Sequence, residues 1–88
     1  MKAVVTVTAR DAKGIIAKVS ARVFEYGANI VDISQSVLEE FFAMIMLIEF
    51  DEGHDFGAFV DSMNALGKEN GLVIHVMHED IFNSMHRI

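Results

Sequence analysis

The sequence predicts an α+β domain of order βαββαβ, a four-stranded antiparallel sheet with two helices on one face. Three observations predict it. Two segments, within residues 13–26 and 56–69, carry apolar residues at helical spacing and lie among four runs rich in Val, Ile, Phe and Met. Each helical pattern stops at a glycine, Gly27 or Gly71, where a left-handed residue closes a helix at little cost. The third apolar run is greasy on both alternation faces, as a strand covered on both sides must be.

The first strand spans residues 2–8, rich in Val and Thr. A polar loop, Arg10-Asp11-Ala12-Lys13, leads to Gly14 and a helix over 13–26. Its core stripe is expected to be Ile16, Val19, Ser20, Val23 and Tyr26, with Lys18, Arg22 and Glu25 outward. The second strand covers 29–39. Simple alternation puts Ile30, Asp32, Ser34 and Ser36 on one face and Val31, Ile33, Gln35 and Val37 on the other. Glu39-Glu40 forms the hairpin turn.

The third strand covers 41–50, with Phe41, Ala43, Ile45 and Leu47 opposite Phe42, Met44, Met46, Ile48 and Phe50. After a turn at 51–54, Asp55 caps a second helix whose stripe is Phe56, Phe59, Val60, Met63 and Leu66. The fourth strand is 72–78. Ile81, Phe82, Met85 and Ile88 then make a one-sided stripe, so residues 81–88 are expected to form a short helical tail. The Met set (Met44, Met46, Met63, Met77 and Met85) fills gaps in the core and at interfaces.

All 88 residues form one domain, 1–88, with no linker and no proline. The chain is 52% hydrophobic before glycine is counted, above a usual share of about 45–50% that includes glycine. Two helices cover one sheet face, so the second face needs the tail, a second copy of the chain, or both. A homodimer is the simplest solution for so short a chain.

The net charge of −6 argues against nucleic acid as a partner, because phosphate binding depends on Lys and Arg. The longest uncharged apolar run is far shorter than the roughly 20 residues that span a bilayer, so no membrane segment is expected. With no cysteine and no export signal, the cytoplasm is the expected location. The missing cysteine also excludes thiolate metal sites and a Cys nucleophile. No nucleophile elbow or Walker-type phosphate loop is present, so catalysis is not expected and no cofactor is implied.

The feature that points to function is the strand-to-helix corner at Gly14. Unpaired helical N–H groups and the positive end of the helix dipole suit a small anion such as a carboxylate. Gly14 either allows close backbone approach or serves helix–strand packing. Asp11 either caps the helix or faces a ligand. Asn29 either shapes the turn in a left-handed conformation or reaches a ligand, and Asp32 is exposed or makes a simple polar contact. His75 and His78, with His86, Glu79 and Asp80, raise a metal site. Their odd separation sends the first two to opposite faces of an ordinary strand.

Asp11-x-x-Gly14-Ile15-Ile16, followed by Gly27-x-Asn29-Ile30 on a βαββαβ chain, resembles the ACT domain, a regulatory module that binds amino acids. The runs 29–36, 40–46 and 81–88 are similar to the stand-alone ACT proteins of the UPF0237 group and to modules of the glycine-cleavage repressor. The resemblance implies a ferredoxin-like fold and a non-catalytic regulator. It implies an amino acid or similar carboxylate bound where the first loop meets a neighbouring subunit. Asp11, Lys13, Gly14, Ile15 and Ile16 would line that site, with Asn29 and Ile30 from the adjacent subunit. Lys13 replaces the proline that often precedes the glycine, and Ala9 stands where serine-sensing members can carry histidine. A protein-interaction module without a metabolite and a metal sensor through His75 and His78 are the alternatives. The regulated partner is not implied.

Overall fold

A computed structural model of the chain describes residues 1–10, 13–51, 53 and 55–85. The elements are β1 (Lys2–Ala9), α1 (Ile15–Glu25), β2 (Ala28–Leu38), β3 (Phe41–Phe50), α2 (Phe56–Asn70), β4 (Val73–His78) and α3 (Glu79–Met85). The four strands form one sheet in the order β2-β3-β1-β4. All three pairings are antiparallel, so β2 and β4 are the edges. This is the predicted ferredoxin-like arrangement.

The alternation expected of β3 is observed. Phe42, Met44, Met46, Ile48 and Phe50 are buried on the face beneath α1 and α2, while Phe41, Ala43, Ile45 and Glu49 are exposed on the other. Val5 and Val7 of β1 join the buried face, and Phe59, Met63 and Leu66 of α2 close over it. The Phe59 ring stands edge-on to Phe50 at 5.1 Å and to Tyr26 at 5.7 Å, geometries favoured by the ring quadrupole.

Helix α1 is shorter than the periodic pattern and rotated from it. Ile15, Val19 and Val23 are its buried residues, whereas Ile16, expected in the core, is 38% exposed. Contacts with α2 set the rotation. The Arg22 guanidinium donates to the Ser62 carbonyl (2.9 Å) and hydroxyl, Lys18 Nζ donates to Asn70 Oδ1 (2.7 Å), and Tyr26 packs on Phe59. These place Lys18, Arg22 and Tyr26 on the α2 side. Ile16, Ser20 and Phe24, spaced by one turn, therefore lie on the opposite flank, toward β2.

Strand β2 departs from simple alternation. Its register against β3 shifts between Ile30 and Asp32, a bulge at Val31. Ile30 consequently lies opposite Ile48 on the helix face, with Ile33 and Val37, while Asp32 lies opposite Leu47 on the open face, with Ser34 and Ser36. The expected grouping of Ile30 with Asp32 is corrected by that one extra residue.

Helix α3 partly covers the open face. Val4, on that face by its pairing with Leu47, is only 4% exposed, and Val4, Ile45 and Leu47 meet Glu79, Phe82 and Asn83 across a small hollow. The expected tail thus begins at Glu79 rather than residue 81, and residues 86–88 fall outside the described set. Met44, Met46 and Met63 are core residues, as anticipated.

The second helix ends as its sequence signals. Asp55 Oδ1 accepts from the Ala58 N–H at 3.0 Å at the start, and Gly71 (φ 67°) closes the end. Gly67 was not expected to matter, yet a Cβ there would sit 2.8 Å from the Leu72 carbonyl oxygen. The Leu72 N–H in turn donates to the Gly67 carbonyl at 2.8 Å, so backbone on both sides fixes the approach. Alanine in a helix interior normally gains close to 1 kcal/mol over glycine. Here Gly67→Ala is expected instead to lose about 1–3 kcal/mol through overpacking, read as a lower thermal midpoint.

Candidate functional site

The corner at Gly14 is built by backbone. Gly14 caps α1 in the left-handed region, φ 72° and ψ 0°, a conformation costing other residues about 1–2 kcal/mol. A Cβ there would meet nothing within 4 Å. The glycine is therefore required by conformation, not by packing, and the space over it is open. Its carbonyl accepts the Lys18 N–H at 3.1 Å, so the N–H groups of Ile15, Ile16 and Ala17 precede that bond at the positive end of the helix. The first turn of α1 carries no acidic residue.

Of the predicted site residues, Lys13, Gly14, Ile15 and Ile16 are contiguous at this corner. Lys13 and Gly14 are exposed, and the Ile15 side chain is buried in the core, leaving only its backbone for a ligand. Asp11 lies outside the described residues. Asn29 and Ile30 are elsewhere. They open β2 after the whole of α1, whose 11 residues at 1.5 Å each separate them from the corner by roughly 16 Å. Asn29 is exposed and in ordinary strand conformation, and Gly27 (φ 74°) makes the turn instead. Asp32 is exposed, with Oδ1 accepting the Ile33 N–H at 2.8 Å.

Sequence reasoning missed an apolar band beside the corner. Phe24 is 82% exposed, and Ile16, Ile30, Ile33 and Val37 are also exposed along the α1 flank and the adjoining β2 edge. Asp32 is the only charged residue in the 11 residues of this edge strand. The available signal was the Ile16, Ser20, Phe24 spacing, which the stronger core stripe concealed.

His75 and His78 do not converge, and His86 lies outside the described residues. His75 pairs with Thr6 on the open face, and His78 pairs with Ala3 on the helix face. His78 Nδ1 accepts the Asp80 N–H at 3.1 Å, with Asp80 Oδ2 at 3.5 Å. Among the described residues no three His, Cys, Asp or Glu side chains group for a metal ion. This geometry gives the metal-sensor alternative no support. Nor is any helix among the described residues long and apolar enough to cross a membrane.

A family model for the ACT domain matches residues 2–77. A UPF0237 protein of Methanosarcina acetivorans is 44% identical over 86 residues, spanning 97% of this chain and 94% of that one. The ACT domain protein from Streptococcus pneumoniae superposes with a TM-score of 0.83 at 40% identity, over 93% of each chain. A protein described as a glycine cleavage system transcriptional repressor superposes with a TM-score of 0.73 at 25% identity, over 85% of this chain and 43% of that one.

Proposed function

Because this chain belongs to the ACT domain family, in its UPF0237 group, we propose that it is a non-catalytic cytoplasmic regulator whose homodimer binds an amino acid or similar small carboxylate. The observation that carries this reading is the apolar band of Ile16, Phe24, Ile30, Ile33 and Val37 beside an unpaired edge strand. A long, nearly uncharged edge is a pairing surface unless something covers it.

Two copies joined antiparallel through β2, about a two-fold axis near Ile33, bury that band on both sides. The same symmetry sets Asn29 of each copy beside the Val37 end of its mate. That is the end of the sheet where α1 begins. A site divided between the two ends of α1 is thereby completed across the seam. The carboxylate takes the N–H groups at Gly14–Ile16, with Lys13 at its rim. Ile30 of the mate, on the helix face, contacts the ligand's side chain, and Asn29, which pairs with Glu49 on the open face, stands next to it at the seam. A ligand touching both copies favours one dimer arrangement over others by its differential affinity, and a regulated protein reads that shift.

The test is calorimetric titration of the full-length protein with each of the twenty amino acids. At least one is expected to bind at millimolar concentration or below. Gly14→Ala is expected to weaken it about fivefold or more, because the left-handed cap costs alanine about 1 kcal/mol. Heats absent for all twenty would overturn ligand binding and leave the protein-interaction alternative, for which the exposed Phe24 is the anchor.

A further inference from the structure

The close of α2 carries a reactive pair as well as a stop signal. Asn70-Gly71 is the only Asn-Gly pair in the sequence. In such a pair the amide nitrogen of the glycine can attack the carboxamide carbon of the asparagine, because no Cβ beside that nitrogen hinders the approach. Asn29, Asn64 and Asn83 are followed by Ile30, Ala65 and Ser84, whose side chains crowd it.

The structure holds both reacting groups away from each other. Asn70 ends α2, and its carboxamide turns back along the helix, Nδ2 donating to the Leu66 carbonyl at 2.9 Å. From the other side Lys18 Nζ of α1 donates to its Oδ1 at 2.7 Å. The attacking nitrogen is engaged too, since the Gly71 N–H donates to the Gly67 carbonyl. The helical backbone at Asn70 and these three hydrogen bonds must be given up before the Gly71 nitrogen reaches Asn70 Cγ. Helix ends open readily on their own, but Lys18 ties this end to a helix 52 residues away in sequence.

We propose that Asn70 is a modification site shut by the fold, whose carboxamide becomes a carboxylate through a cyclic imide with Gly71 when the end of α2 leaves α1. Hydroxide removes the Gly71 amide proton, the nitrogen bonds to Asn70 Cγ, and the Cγ–Nδ2 bond breaks as ammonia leaves with a proton from water. Water then adds to one of the two imide carbonyls. Cleavage between the nitrogen and Cγ leaves an ordinary aspartate; cleavage of the main-chain bond leaves an isoaspartyl linkage that runs through Cβ and Cγ. The first product sets a carboxylate against the Lys18 ammonium and tightens the tie. The second adds a backbone carbon where the chain already turns back closely on Gly67, with the Leu72 carbonyl oxygen 2.8 Å from a Cβ built there, and loosens it. None of this depends on a ligand at the Gly14 corner.

The test is peptide mapping by mass spectrometry of the full-length protein held at mildly alkaline pH, folded and in denaturing urea, with amide hydrogen exchange at Gly71 read in parallel. In urea Asn70 is expected to gain the mass of the amide-to-acid change before any other asparagine, and in the folded state to do so at least about tenfold more slowly. Lys18→Met alters an exposed side chain and leaves the core untouched. It is expected to raise the folded rate about two- to fivefold, the worth of one exposed hydrogen bond, and to leave the rate in urea unchanged. Exchange at Gly71 should rise by the same factor, because both processes need the same N–H freed. Equal rates folded and unfolded, conversion of Asn83 ahead of Asn70 in urea, or a Lys18→Met variant that converts no faster than the unaltered protein would each overturn the proposal. So would faster conversion without faster exchange at Gly71, which would place the restraint on the side chain alone.

Discussion

Phe59→Ala is expected to remove about 3–5 kcal/mol of stability, the largest effect of any single truncation in this chain. Phe59 is fully buried, and its ring meets both Phe50 from the sheet and Tyr26 from the end of α1. It therefore ties α2, β3 and the close of α1 into one core, and its loss leaves a cavity that none of the three can fill alone. A domain of 88 residues has a total stability of about 4–13 kcal/mol, so the variant is expected to be largely unfolded or close to it. Phe59→Leu keeps most of the volume and should lose much less, about 1–2 kcal/mol. Urea unfolding followed by far-ultraviolet circular dichroism, at fixed protein concentration, measures both. A loss under 1 kcal/mol for the alanine variant would mean that the two helices do not share a core through this ring.

The second large effect is on assembly. The proposed seam places Ile33 of each copy near the two-fold axis, next to its own mate. Ile33→Lys brings two ammonium groups together and removes two buried isoleucines. Each lost isoleucine contributes about 1.5 kcal/mol or more at an interface, so the dimer should weaken by about 3 kcal/mol, on the order of 100-fold in dissociation constant. In the isolated chain Ile33 is already exposed, and folding should be little affected. Sedimentation velocity across a concentration series, with a circular dichroism spectrum as control, reads both. A variant that sediments as the unaltered protein does would remove β2 from the interface. A matching lysine at Val73, on the far edge of the open face, is expected to leave the dimer intact.

The elements were legible in the sequence because their signals were local. Asp55 announced the start of α2, Gly71 its end, and the double apolar face of 41–50 announced a central strand. What escaped was set by contacts between elements. The bulge at Val31 adds one residue to β2 and puts Ile30 and Asp32 on opposite faces, a shift that alternation alone cannot encode. The rotation of α1, which exposes Ile16 and buries Ile15, follows from Arg22, Lys18 and Tyr26 meeting α2. Gly67 matters only because β4 turns back across it. For the candidate site, the family motif pointed to Gly14, and the left-handed cap supplies the physical reason that a glycine stands there. The same motif joined Asn29 to Gly14, but topology sets them at opposite ends of α1, so only symmetry between copies can reunite them.

That reunion can be measured directly. A nitroxide label is placed on an Asn29→Cys variant of unlabelled protein, a chain that otherwise has no cysteine, and this is mixed with unmodified protein enriched in nitrogen-15. Only contacts between copies then broaden the observed amide signals. The account predicts strong broadening at Gly14, Ile15, Ile16 and Val37 of the enriched copy. Broadening centred instead on Val73 and His75, or none at any concentration, would contradict it.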